Sequence, residues 1–169
     1  MFSLKTKIKV DELGLILYNY TVNHQYLDNT VDSLDKTNVL ERNNIKSEII
    51  VLIIVTVDYL LSSPKICKSL GEKNGGLFIN YLGYFKEVTG KQELDDFFID
   101  LLNKRGNMYN ALIQNDNLLN NLNSPYQIAE AFSKNCGVEN DPIFIIKALN
   151  IFSSNLKILS ELLAKFKLI

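Results

Sequence analysis

The segment Ile49-Ile-Val-Leu-Ile-Ile-Val-Thr-Val57 constrains this chain more than any other. Nine consecutive residues carry no charge, and the run stops at Asp58. A bilayer-crossing helix needs about 20 such residues. The run is therefore too short for a span, even with Tyr59, Leu60 and Leu61 extending its apolar character. Its β-branched residues also suit a strand, but a strand needs partners, and the chain offers few segments that alternate. The remaining reading is a helix from about Asn44 to Leu61. Ile45, Ile49, Leu52, Ile53, Thr56 and Leu60 share one side, and Ile50, Ile54, Val55 and Val57 make the others apolar. A helix greasy nearly all round belongs at the centre of a bundle.

Punctuation places the other helices. Asp11 and Glu12 suit a first turn because they meet free amides and the positive dipole end. Leu13, Ile16, Leu17, Tyr20 and His24 follow at spacings of three and four. Gly14 weakens that helix without stopping it. Residues 28–37 are polar and read as a loop or an exposed helical turn. Ser63 and Pro64 form a cap and a first-turn proline that restart the chain after the central helix. Residues 65–88 read as two short helices around a turn at Lys73-Asn-Gly-Gly76. A further helix is expected from Gln92 to Gln114, running through Gly106.

Ser124-Pro-Tyr-Gln127 is a capping-box pattern with a first-turn proline, heading a helix that ends at Cys136-Gly137. Asp141-Pro142 repeats the signal. From there Ile145, Leu149, Phe152, Leu156, Leu159, Leu163 and Phe166 form a stripe that predicts a long C-terminal helix over about 142–167. Ser153, Ser154 and Asn155 within it predict a solvated face. The alternating Lys5, Lys7 and Lys9 mark residues 1–9 as a solvated strand or a frayed end. The expected architecture is an all-α bundle of five to seven helices in one domain spanning 1–169.

Charge narrows the partners. Lysine plus arginine number 18 and aspartate plus glutamate 19, a net charge of -1. Duplex nucleic-acid binding ordinarily needs a positive surplus, so no nucleic acid is expected. The N-terminal lysines interrupt any signal-peptide core, so the expectation is a cytoplasmic protein, with no membrane span. Cys67 and Cys136 then read as free thiols. One histidine and two cysteines are too few for a zinc centre of their own. The 28–37 aspartates lack the glycine and terminal glutamate of a calcium loop, and no glycine pattern that cradles phosphate is present. No metal or cofactor is implied.

The candidate polar residues are Asp58, Arg105 and His24. Asp58 closes the apolar run, so it either reaches solvent at a helix end or is shielded and needs a partner. Arg105 and Lys104 are the cations considered for it. His24 and Asp28 lie four apart and would share a helix face; the plainer reading is a half-exposed histidine. Glu93, Asp95, Asp96 and Asp100 are ordinary dipole partners for a helix start.

Aromatic residues give the candidate interface. Tyr81, Tyr84 and Phe85 lie close together and would line a groove, an oligomer contact or the monomer core. Leu162 and Phe166 near the end of the last helix, with Leu163 beside them, suggest a dimer surface. The leading expectation is a non-catalytic helical interaction protein that self-associates or binds another protein. The alternatives are an enzyme with a dispersed polar site around Asp58, and a module for a small apolar ligand between helices.

Overall fold

A computed structural model describes residues 5–34, 39–71, 76–89, 92–114 and 123–169. It is an all-α fold. The described residues form α1 (Val10–Thr21), α2 (His24–Ser33), α3 (Val39–Ser62), α4 (Pro64–Leu70), α5 (Leu77–Thr89), α6 (Gln92–Gln114), α7 (Asn123–Asn135) and α8 (Pro142–Ala164). Seven of these span ten residues or more, and α4 is a seven-residue continuation of α3. Two short strands, β1 (Thr6–Ile8) and β2 (Phe166–Leu168), complete the order.

α3 is the central helix. From Val51 to Val57 every side chain is buried, whichever way it points. A β-branched residue in a helix costs at most about 0.7 kcal/mol relative to alanine. Full burial of an isoleucine or valine contributes about 1.5–3 kcal/mol, so packing on all sides overrides the strand preference. Thr56, the polar member of the run, donates its hydroxyl to the Leu52 carbonyl at 2.7 Å within the same helix. α3 touches α1, α2, α4, α5, α6 and α8.

Around it, α1 lies along α5 and α7 along α8. Gly14 makes the α1–α5 approach close: a methyl group there would sit 3.3 Å from the Tyr81 backbone nitrogen. The break after α3 falls where Ser63 and Pro64 predict it, and α4 leaves at 77°. Asp141 heads α8 as expected, accepting from the Ile143 and Phe144 amides at 3.0 and 3.1 Å. α6 matches its expected span, and α7 starts at Asn123, placing Ser124 inside its first turn. The turn residues 73–75 and the polar tract 115–122 lie outside the described residues.

Five expectations are corrected. Residues 6–8 form the strand of the two readings rather than a frayed end, but the strand is paired and not simply solvated. They pair in parallel with 166–168, in the register Thr6–Phe166, Lys7–Lys167 and Ile8–Leu168, because Ile8 and Leu168 bury there. Phe166 therefore belongs to a strand, and α8 ends at Ala164. Residues 28–33, the start of the polar stretch expected as a loop or an exposed helical turn, belong to a ten-residue helix that begins at His24 and packs on the core. Asn23 caps it by accepting from the Tyr26 amide at 2.9 Å, and Leu27 and Val31 anchor it to the core. His24 starts that helix instead of ending α1. Finally, Asn155 is wholly buried, because its carbonyl accepts from the Tyr20 and Tyr26 hydroxyls at 2.7 and 2.8 Å.

Candidate functional site

The candidate site is a cleft between α3, α5 and α6 that contains Asp58. Its volume is about 180 Å³. Val55 and Ile54 from α3, Phe78 and Leu82 from α5 and Leu102 from α6 supply apolar walls. The polar lining is Asp58 with Asn103, Asn107 and Asn110, which succeed one another at spacings of four and three along one side of α6. Gly106 lies between them, buried, where an added methyl group would meet the Val55 side chain at 3.9 Å. A larger residue at 106 would narrow the cleft.

Asp58 is partly buried at the end of the apolar run. Burial raises its carboxyl above the ordinary aspartate range, and a hydrogen bond with the Asn110 side chain opposes this only in part. No cation among the described residues forms an ion pair with it. The sequence places Arg105 and Lys104 on the helix opposite. Lys104 is exposed, and Arg105 points to a different carboxylate.

That carboxylate is Glu48, which sequence reasoning missed. Its side chain is only 5% exposed, and Arg105 Nε donates to it at 3.1 Å. Tyr109 donates its hydroxyl to Glu48 at 3.4 Å and accepts from Asn135 Nδ2 at 3.1 Å. Arg105 Nη1 donates to Asn135 Oδ1 at 2.6 Å. The four side chains tie α3, α6 and α7 together. Burial raises the Glu48 carboxyl, opposed by Arg105, Tyr109 and Asn135. Burial and the Glu48 charge push the Tyr109 hydroxyl well above its usual value. A signal for Glu48 was present: Ile45, Glu48, Leu52 and Thr56 share a face at spacings of three and four.

The remaining candidates separate. His24 is exposed on α2. Asp28, one turn on, pairs with Lys46 and Arg42 of α3, and these cations with His24 hold its carboxyl below the usual range. Tyr81 and Phe85 face inward with Leu77 at spacings of four, so they close the core. The Tyr81 hydroxyl lies 2.9 Å from Thr21 Oγ1, and its ring meets Phe85 edge-on. Tyr84 is half-buried against Tyr18 and donates to the Asp11 carbonyl at 3.2 Å. Leu162 and Phe166 are partly buried against the core, and Leu163 is fully buried. Neither Cys67 nor Cys136 forms a disulfide, and Cys67 Sγ donates to the Leu61 carbonyl at 2.9 Å. The side chains of Glu93, Asp95 and Asp96 lie outside the described residues, and Asp100 is exposed.

The exposed apolar surface lies elsewhere. On α8, Ile143 is 67% exposed, Ile146 56% and Ile158 43%. At 3.6 residues per turn these three fall within one outward-facing side of the helix. They contribute to making α8 long and apolar enough, by length and composition, to cross a membrane.

No family model matches the chain, and no curated protein or solved structure is significantly similar to it.

Proposed function

We propose that this is a non-catalytic helical interaction protein that self-associates through the outward side of α8. The observation that carries the reading is the exposure of Ile143, Ile146 and Ile158 on one side of a helix whose other side is core. Ile143 and Ile146, one turn apart, expose apolar surface at the head of α8, and Ile158 exposes more further along; a partner that covers these side chains removes that surface from water. Ile143 and Ile158 can also meet each other across a two-fold axis. A two-fold antiparallel pairing centred near Asn150 and Ile151 sets Ile143 opposite Ile158 of the partner subunit. It brings no like charges opposite each other, because Lys147 then faces Ser154. The polar clusters support a structural role for the charged residues. Glu48, Arg105, Tyr109 and Asn135 satisfy one another across three helices.

Sedimentation velocity over the low micromolar range tests this. The expected result is a dimer that Ile143→Glu or Ile158→Glu converts to monomer without loss of helicity. A monomer at every concentration overturns the reading, and so does lipid-vesicle binding by a protein that never dimerises.

A further inference from the structure

We propose that the cleft between α3, α5 and α6 is a binding site for a small primary alkylammonium ion. Four observations converge there. The cleft holds a carboxylate, Asp58, that is partly shielded from water and forms no ion pair among the described residues. A carboxylate in such surroundings gains most from a cation that brings its own hydrogen-bond donors. Asn103, Asn107 and Asn110 line the same cavity. Each amide oxygen is an acceptor, and an ammonium group has three N–H donors to satisfy. The remaining walls are apolar, from Val55, Phe78, Leu82 and Leu102, which suits a short alkyl chain and not a hydrated metal ion. The volume, about 180 Å³, accommodates a ligand with a handful of heavy atoms.

The nearby cations leave this charge open. Arg105 is held by Glu48 and Asn135, and Lys104 is exposed on the same helix. A bound ammonium would stabilise the ionised form of Asp58 that burial disfavours. Binding is therefore strongest once Asp58 is ionised and weakens as pH falls through its raised folded value.

Side-chain amide signals of Asn103, Asn107 and Asn110 report on the cleft directly in a nitrogen-15 NMR titration. The probe is n-butylammonium, compared with 1-butanol, which has the same chain and no charge, and with magnesium ion. The expected result is saturable shifts of these amides with butylammonium, and binding of butanol at least about tenfold weaker, the worth of one charge-assisted hydrogen bond. Asp58→Asn keeps the size and the partner Asn110, and it lowers butylammonium affinity by about tenfold. Gly106→Ala narrows the cleft while meeting Val55 at an ordinary contact distance of 3.9 Å, and it weakens binding with the fold intact. Equal binding of butanol, unchanged affinity in Asp58→Asn, magnesium shifts matching those of butylammonium, or no saturation would each overturn the proposal.

Discussion

At the scale of single residues, the burial of one partner decides how a polar pair behaves. Glu48 and Arg105 form an ion pair whose members are unequally shielded, 5% and 28% exposed at the side chain. Removing the cation strands a buried charge, whereas neutralising the carboxylate leaves an arginine that still reaches water. Arg105→Met is therefore expected to lower stability by about 3 kcal/mol at neutral pH, and Glu48→Gln by less than about 1 kcal/mol, because it loses hydrogen bonds but also removes a charge that folding disfavours; urea unfolding of the two variants measures the difference. The pH dependence follows from the same burial. The folded protein holds the Glu48 proton more tightly than the unfolded chain does, because its carboxyl is raised. This residue's contribution is thus greatest below the ordinary glutamate range. It declines as pH rises from there through the raised folded value. Glu48→Gln abolishes that decline. Identical pH slopes in the variant and the parent would show that Glu48 is not the group responsible. The Glu48 position was legible in the spacing of α3. Its partner was not, because the rotation of α6 against α3 sends Arg105 away from Asp58.

At the scale of helices and strands, two glycines separate local preference from packing. Gly14 and Gly83 both lie inside helices, where alanine is better by about 1 kcal/mol. At Gly83 an added methyl meets nothing within 4 Å, so Gly83→Ala is expected to stabilise by about 0.5–1 kcal/mol. At Gly14 the methyl meets the Tyr81 backbone at 3.3 Å and Asn80 Cβ at 3.4 Å. Separating two packed helices exceeds the gain in helix propensity, and Gly14→Ala is expected to destabilise by about 1 kcal/mol net. Thermal melts of the pair give the two signs. The β1–β2 pairing is the element least visible beforehand. The alternating lysines allow a strand at 6–8, but 166–168 read as the end of a helix, and the two become a ladder only because the fold brings them together. Ile8→Ala and Leu168→Ala should each cost about 2–3 kcal/mol. Their double mutant should cost less than the sum, by at least about 0.5 kcal/mol, because they are register partners. Strict additivity in denaturant unfolding would count against this pairing.

At the scale of the whole molecule, α3 is the common support. Ile53 is fully buried in it, and the helix meets six others. Ile53→Ala is expected to cost about 2–5 kcal/mol. It should lower one unfolding transition seen together by far-ultraviolet circular dichroism and tyrosine fluorescence. Two separated transitions would show that the outer helices do not depend on α3. The outer surface obeys a different rule: the stripe that predicts α8 identifies its buried side and leaves the isoleucines opposite unexplained. They become a feature only once the rest of the molecule has covered one side and not the other.

What followed from the chain alone was local: helix starts at Ser63-Pro64 and Asp141-Pro142, the all-round apolar character of 49–57, and the helical class. These depend on neighbours within a turn or two, where caps, proline and side-chain periodicity act. What tertiary structure decided was every relation between distant residues. It turned Tyr81 and Phe85 into core, buried Asn155 between two tyrosines, joined the terminal strands, and gave Arg105 to Glu48 while leaving Asp58 in a cleft. The reason is geometric. Periodicity states that a side chain lies on a given side of its own helix, but which group it meets depends on how that helix is rotated and shifted against the next.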